Sequence, residues 1–152
     1  MRSATPRRRR RGNGKMPAIY QHSLIVAPEE IDRLGHVNNL AYLAWMQAAA
    51  LAHSAAQGWP PERYEQLGAG WVVRSHEIKY LQPAYEGQQI VVRTWVADMK
   101  KVGSTRRYKI LRSNDDTLLA SAATQWAFID FSTGALARIP DEVWRAFELG
   151  TG

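Results

Sequence analysis

Between Leu40 and Gln57 the chain takes a helical period, with Leu40, Leu43, Ala44, Gln47, Ala48, Leu51 and Ala55 falling along one face. Asn38 or Asn39 is placed to cap its start, and Gly58 followed by Pro60 to close it. Eight of these 18 residues are Ala, which favours helix and leaves a slim surface around which a curved sheet fits closely. On either side the period shortens. Residues 19–27 read as a first strand, left through a Pro-Glu-Glu loop. After a Pro-rich connection, segments near 71–81, 88–98, 103–113 and 117–130 are rich in Val, Ile, Tyr, Trp and Thr. Turn chemistry separates them at Gln82-Pro83 to Glu86-Gly87, Lys100 to Gly103, and Asn114-Asp115-Asp116. Alternation is clearest in Arg93-Thr94-Trp95-Val96 and Arg107-Tyr108-Lys109-Ile110. Connections this short favour antiparallel pairing. Pro140-Asp141 opens a short last helix with Val143, Trp144 and Phe147 on its apolar side. The order β-α-β-β-β-β predicts an α+β domain, one helix packed on an antiparallel sheet.

Composition adds mainly exclusions. With 152 residues, 45% hydrophobic and 22% charged, the chain has the size and balance of one globular domain. No apolar run reaches membrane-spanning length, and the basic start leads into no signal-peptide core, so a cytoplasmic protein without membrane contact is expected. The absence of Cys excludes disulfides, thiolate catalysis and Cys-ligated zinc. His22, His36, His53 and His76 are not at metal-ligand spacings, so no metal is expected. There is no Gly-x-Ser-x-Gly elbow, and Gly68-Ala69-Gly70 is too short for a phosphate loop.

The net charge of +6 misleads. Seven of the 20 basic side chains (Arg2, Arg7 to Arg11 and Lys15) lie in the first 16 residues, leaving 13 against 14 acidic ones. The basicity belongs to a tail, residues 1–16, that is expected to be disordered. Such a tail can touch nucleic acid or an anionic membrane, but the domain behind it, 17–152, shows no matching basic stripe. No nucleic-acid partner is therefore expected, and Met16 offers an alternative start immediately before the domain.

The chemistry concentrates in Asp32-Arg33-Leu34-Gly35-His36-Val37-Asn38-Asn39. A carboxylate stands one short loop ahead of a helix whose first backbone N–H groups are free to meet negative charge. A carboxylate that attacks a carbonyl, or directs water at it, beside donors for the oxyanion makes an acyl-transfer centre. An Asp before a helix is most often a cap, yet Asn38 and Asn39 are better placed for that duty. Gly35, lacking a Cβ, allows chain or ligand to approach closely. His36 is the other acid–base side chain here, and it reads equally as a loop-shaping residue.

Asp32, Gly35, the run His36-Val37-Asn38-Asn39 and the Tyr42-Leu43 helix together resemble the hotdog-fold acyl-CoA thioesterases of the 4-hydroxybenzoyl-CoA thioesterase-like branch. Val73 to Gly87 and Ser121 to Pro140 are similar to further strands of that family, so the likeness covers about residues 18 to 149. It implies a hotdog fold, an antiparallel sheet wrapped around one long central helix. It also implies an acyl-CoA thioesterase in which Asp32 is nucleophile or general base and the N–H of Asn39 polarises the thioester carbonyl. Gly35, His36 and Asn38 support the loop. Trp45, Trp59, Tyr64 and Trp71 read first as packing; in similar enzymes this region also lines the acyl pocket, which makes Tyr42, Trp45 and Trp71 candidate substrate-binding residues. Arg74, with Lys79, Arg106 and Arg107, is a candidate for coenzyme A phosphates. Gln47 departs from the family, many of whose members carry Glu there, which sets aside a helix carboxylate as catalyst. No cofactor is expected, since coenzyme A enters as part of the substrate. A homodimer or homotetramer with sites between protomers is implied. An acyl group on acyl carrier protein, or a non-hydrolytic acyl-CoA-binding module, are the alternatives.

Overall fold

The structure is a computed structural model, and it describes residues 18–152. The tail expected over residues 1–16 lies outside the described residues. Five strands form one antiparallel sheet: β1 (Tyr20–Ile25), β2 (Ala69–Tyr80), β3 (Gln89–Met99), β4 (Gly103–Arg112) and β5 (Thr117–Asp130). Their spatial order is β1-β3-β4-β5-β2. Helix α1 (Asn39–Ala56) lies against one face, with α2 (Pro61–Leu67) and α3 (Asp141–Ala146) at one end. This is the α+β hotdog architecture that the sequence resemblance implies.

Strand and helix bounds follow the hydrophobic pattern closely, but α1 is rotated from expectation. Its buried residues are Ala41, Tyr42, Trp45, Met46, Ala49, Ala50 and His53. Leu40, at 74% exposure, and Leu51 lie on the solvent side with Ala44, Gln47, Ala48 and Ala55. An Ala-rich helix is nearly uniform in hydrophobicity around its axis, so the aromatic residues, and not the leucines, choose the buried face. The Pro-rich connection also contains a helix. Pro61 opens α2 at a position where a missing N–H costs nothing, and Gly68 closes it in the left-handed conformation at φ 76°. In α3, Val143 is buried and Phe147 packs just beyond the helix, whereas Trp144 is exposed.

Two bulges set which side chains meet α1. Register shifts between Val73 and Ser75, leaving Arg74 as the extra residue of β2. The side-chain parity therefore switches there, so that Trp71 and Val73 before the bulge share a face with His76, Ile78 and Tyr80 after it. A second shift, between Val96 and Asp98, turns Met99 towards the same side as Val96. On β3 the expected alternation is broken because Trp95 is buried as well as Thr94 and Val96. The C-terminal segment covers its outer side, with Gly150 N–H donating to Val96 O at 2.9 Å.

The interior has two apolar clusters. One, around Tyr42, Trp45, Met46, Ile90, Val92 and Ile110, lies under the first turns of α1. The other, around Trp59, Tyr64, Val96, Phe128, Ile139 and Val143, lies at its far end with α2 and α3. Buried on the strands stand Thr94, Arg106 and Thr124, with Arg106 bonded to both Thr94 and His53 of α1.

Candidate active site

The Asp32 loop is built by backbone bonds. Asp32 N–H donates to His36 O at 2.7 Å, and Gly35 N–H returns to Asp32 O at 3.1 Å. Val37 N–H reaches Ala84 O and Asn38 N–H reaches Glu30 O, which ties the loop to the connection between β2 and β3 and to the turn Pro28–Glu30. Glu30 in turn accepts from the Trp45 indole at 2.8 Å, fixing the loop against α1. The Asp32 carboxylate takes part through one oxygen only. Oδ1 accepts the N–H groups of Leu34 at 2.9 Å and His36 at 3.1 Å. Oδ2 has no partner among the described residues, and the side chain is exposed.

Asn38 is the cap. Its φ and ψ are −71° and 156°, and its Oδ1 accepts from Ala41 N–H at 2.9 Å. With Ala41 taken, Asn39 and Leu40 are left with N–H groups that have no acceptor among the described residues. Asn39 is the first residue of the helix. Gly35 sits at φ 78°, and a Cβ there would meet nothing within 4 Å. What the glycine supplies is the left-handed backbone of the turn, not relief of crowding within the chain. His36 is half-buried, its ring edge-on to Tyr85 at 5.4 Å. It serves the loop through its backbone.

The structure does not bring all the candidates together. Tyr42 and Trp45 belong to the core under the loop, Tyr42 packing against Trp45 and Tyr80. Trp71 lies at the other end of α1, where its indole N–H donates to Tyr64 Oη at 3.1 Å. Arg74 is exposed at the β2 bulge. Among the further phosphate candidates, Arg106 is corrected outright: it is 6% exposed, on the inner face of the sheet, and no surface group. Lys79 and Arg107 lie with Lys109 and Glu77 on the face opposite α1.

Sequence reading missed the cluster around Arg106. Nη1 of Arg106 donates to His53 Nδ1 at 2.9 Å and to Thr94 Oγ1 at 3.1 Å. Because a guanidinium only donates, His53 must accept and is neutral, with its proton on Nε2. Burial first, and then the neighbouring Arg106 charge, lower the His53 pKa to about 4. Burial lowers that of Arg106 as well. The signal was present in the alternation, since Arg106 shares parity with Tyr108 and Ile110 and must turn inward with them.

A family model described as the thioesterase-like superfamily matches residues 26–147. The chain is similar to a chloroplastic acyl-[acyl-carrier-protein] hydrolase, FATB2, of Cuphea viscosissima, 33% identical over 139 residues that cover 86% of this chain and 33% of the relative. The chain thus spans a third or less of the length of the curated relatives it matches. A 1,4-dihydroxy-2-naphthoyl-CoA thioesterase from Synechocystis superposes with a TM-score of 0.78 at 18% identity, covering 84% of this chain and 94% of that one. A Staphylococcus aureus protein in complex with CoA gives 0.80 at 16% identity, with 88% and 84% covered.

Proposed function

This chain belongs to the thioesterase-like superfamily, and we propose that it hydrolyses an acyl-CoA thioester to the free acid and coenzyme A at the Asp32 loop. The observation that carries the reading is the pairing of an unpartnered Asp32 Oδ2 with the unpartnered N–H groups of Asn39 and Leu40. A thioester carbonyl laid over the start of α1 receives the helix donors on its oxygen and the carboxylate on its carbon side. Oδ2 then either attacks the carbonyl, giving a mixed anhydride that water opens, or takes a proton from the attacking water. In both routes the thiolate of coenzyme A leaves and the acid is released. No cofactor is needed, coenzyme A being part of the substrate. No described helix is long and apolar enough to cross a membrane.

The active form in this reading is a homodimer. Strand β2 is a 12-residue edge that, among the described residues, pairs only with β5, a ready template for a second copy. The Tyr80 end of β2 packs on Tyr42 in the first turn of α1, while the Trp71 end lies by Tyr64. Antiparallel pairing of two β2 edges sets the Tyr80 end of one copy beside the Trp71 end of the other. The Asp32 loop of one protomer then faces the far end of its partner's α1.

The likeness to an acyl-carrier-protein hydrolase favours one second reading, in which the acyl group arrives on that carrier. Thiol release from acyl-CoAs and from matched acyl carrier protein esters, measured side by side, decides. A kcat/KM at least about tenfold higher for CoA esters is expected. The reverse ratio moves the substrate to the carrier, and turnover of neither removes the hydrolase reading.

A further inference from the structure

The far end of α1 borders an open-mouthed cavity of about 250 Å³. Trp59, Tyr64, Trp71, Trp126 and Phe131 give it aromatic walls. An apolar cavity of about 150 Å³ accepts benzene, so this one has room for a single ring and a substituent. Into that apolar setting the sheet contributes a cation. Arg106 lines the cavity at 6% exposure. Its only hydrogen-bond partners among the described residues, His53 and Thr94, are neutral and both engage Nη1. None of the ion pairs among the described residues includes it, and Glu65, at the exposed rim of the same cavity, is not within pairing distance. A buried cation is costly unless an anion answers it, and a guanidinium with Nε and Nη2 uncommitted presents the fork that matches a carboxylate.

We infer that this cavity receives the acyl group of the substrate and that Arg106 reads a carboxylate on it, remote from the thioester. The preferred substrate is then the thioester of an aromatic dicarboxylic acid. The ring lies among the tryptophans and its free carboxylate on Arg106. The thioester emerges at the mouth, where the partner's Asp32 loop stands in the dimer. The catalytic half of this assignment rests on the hydrolase reading above, whereas the binding half does not.

The test begins with binding to the unaltered full chain, followed by tryptophan fluorescence and calorimetry, using benzoate and its neutral isostere benzamide. Benzoate is expected to bind at least about tenfold more tightly, the scale of a charge-assisted against a neutral hydrogen bond. That advantage is expected to vanish in Arg106→Gln. Equal affinities in the wild type overturn the inference, with no appeal to a variant that must fold. Turnover of terephthaloyl-CoA and benzoyl-CoA follows, with kcat/KM expected about tenfold higher for the former and the difference carried in KM. A benzoate preference with no turnover of either ester keeps the anion pocket and removes the reading of coenzyme A esters as the substrate. Equal turnover of both esters overturns the substrate assignment and leaves the hydrolase standing.

Discussion

The two ends of α1 solve opposite problems. At the start, polar atoms are exposed and partly unused: one oxygen of Asp32 and the N–H groups of Asn39 and Leu40 have no partner among the described residues. About 18 Å further along the helix, Leu51 and Ser54 border an aromatic cavity, and the unused polarity is a buried guanidinium. An exposed carboxylate with an uncommitted oxygen can meet a reacting carbonyl; a buried cation in an apolar cavity can only select what enters. One end is suited to chemistry and the other to recognition, and within a single chain they are too far apart to serve one thioester. Variants at each end should therefore separate kcat from KM.

The largest effect is expected at Asp32. Asn in place of Asp32 keeps an oxygen to accept from Leu34 and His36, so the loop bonds survive while the ionised oxygen is lost. A folded Asp32→Asn is expected to lose about 10²–10⁴ in kcat, read by thiol release, with KM little changed. Rates within twofold of wild type would assign Asp32 to loop geometry alone. Next comes the helix donor. Asn39→Pro deletes the N–H at the first helical position, where proline is tolerated, and Asn38 already has the extended backbone that a following proline requires. The expected cost is about 3 kcal/mol in the barrier, or about a hundredfold in kcat, with the melting transition nearly unmoved. A large loss of stability with unchanged kcat in the surviving folded fraction would sink the oxyanion role.

How much of each end was legible follows from the same contrast. The Asp32 end is local in sequence: Asp32, Gly35, Asn38 and Asn39 fall within eight residues, and turn and cap chemistry places them without tertiary information. The strands were legible to within two residues for β2 to β5, because β-branched runs and turn residues agree. The recognition end depends on contacts between distant segments, His53 with Arg106 and Trp71 with Tyr64, and on two bulges that no spacing rule announces. Even the buried face of α1 was misread, since eight alanines dilute the periodicity that a reader follows.

The buried end should show itself in the pH dependence of stability. His53 titrates at about 4 in the folded chain, against about 6.5 when unfolded. Between these values the unfolded chain binds the extra proton, so stability rises with pH across that window and is lost as pH falls through it. Urea unfolding at pH 4.5 and pH 7 is expected to show this slope. His53→Gln keeps an acceptor for Arg106 and removes the titration, so the slope should flatten. Persistence of the full slope in the variant would place its origin elsewhere.

The smallest effect distinguishes two uses of Gly35. In the unliganded loop its role is conformational: φ is 78° and a Cβ would meet nothing within 4 Å. Gly35→Ala is therefore expected to cost about 1–2 kcal/mol of stability, the penalty of an L-residue in the left-handed region, measured by denaturant unfolding. If that were its whole role, the folded variant would keep kcat/KM within a few-fold of wild type, because the bonds to Asp32 Oδ1 come from neighbouring residues. The missing Cβ also leaves room for chain or ligand to approach, and ligand approach would be a second use. On that account KM for the thioester rises well beyond the stability change. The conformational outcome is the expected one, since the turn by itself explains the glycine. A rise in KM without matching destabilisation would move the bound thioester onto Gly35 and draw the catalytic end of α1 further towards recognition.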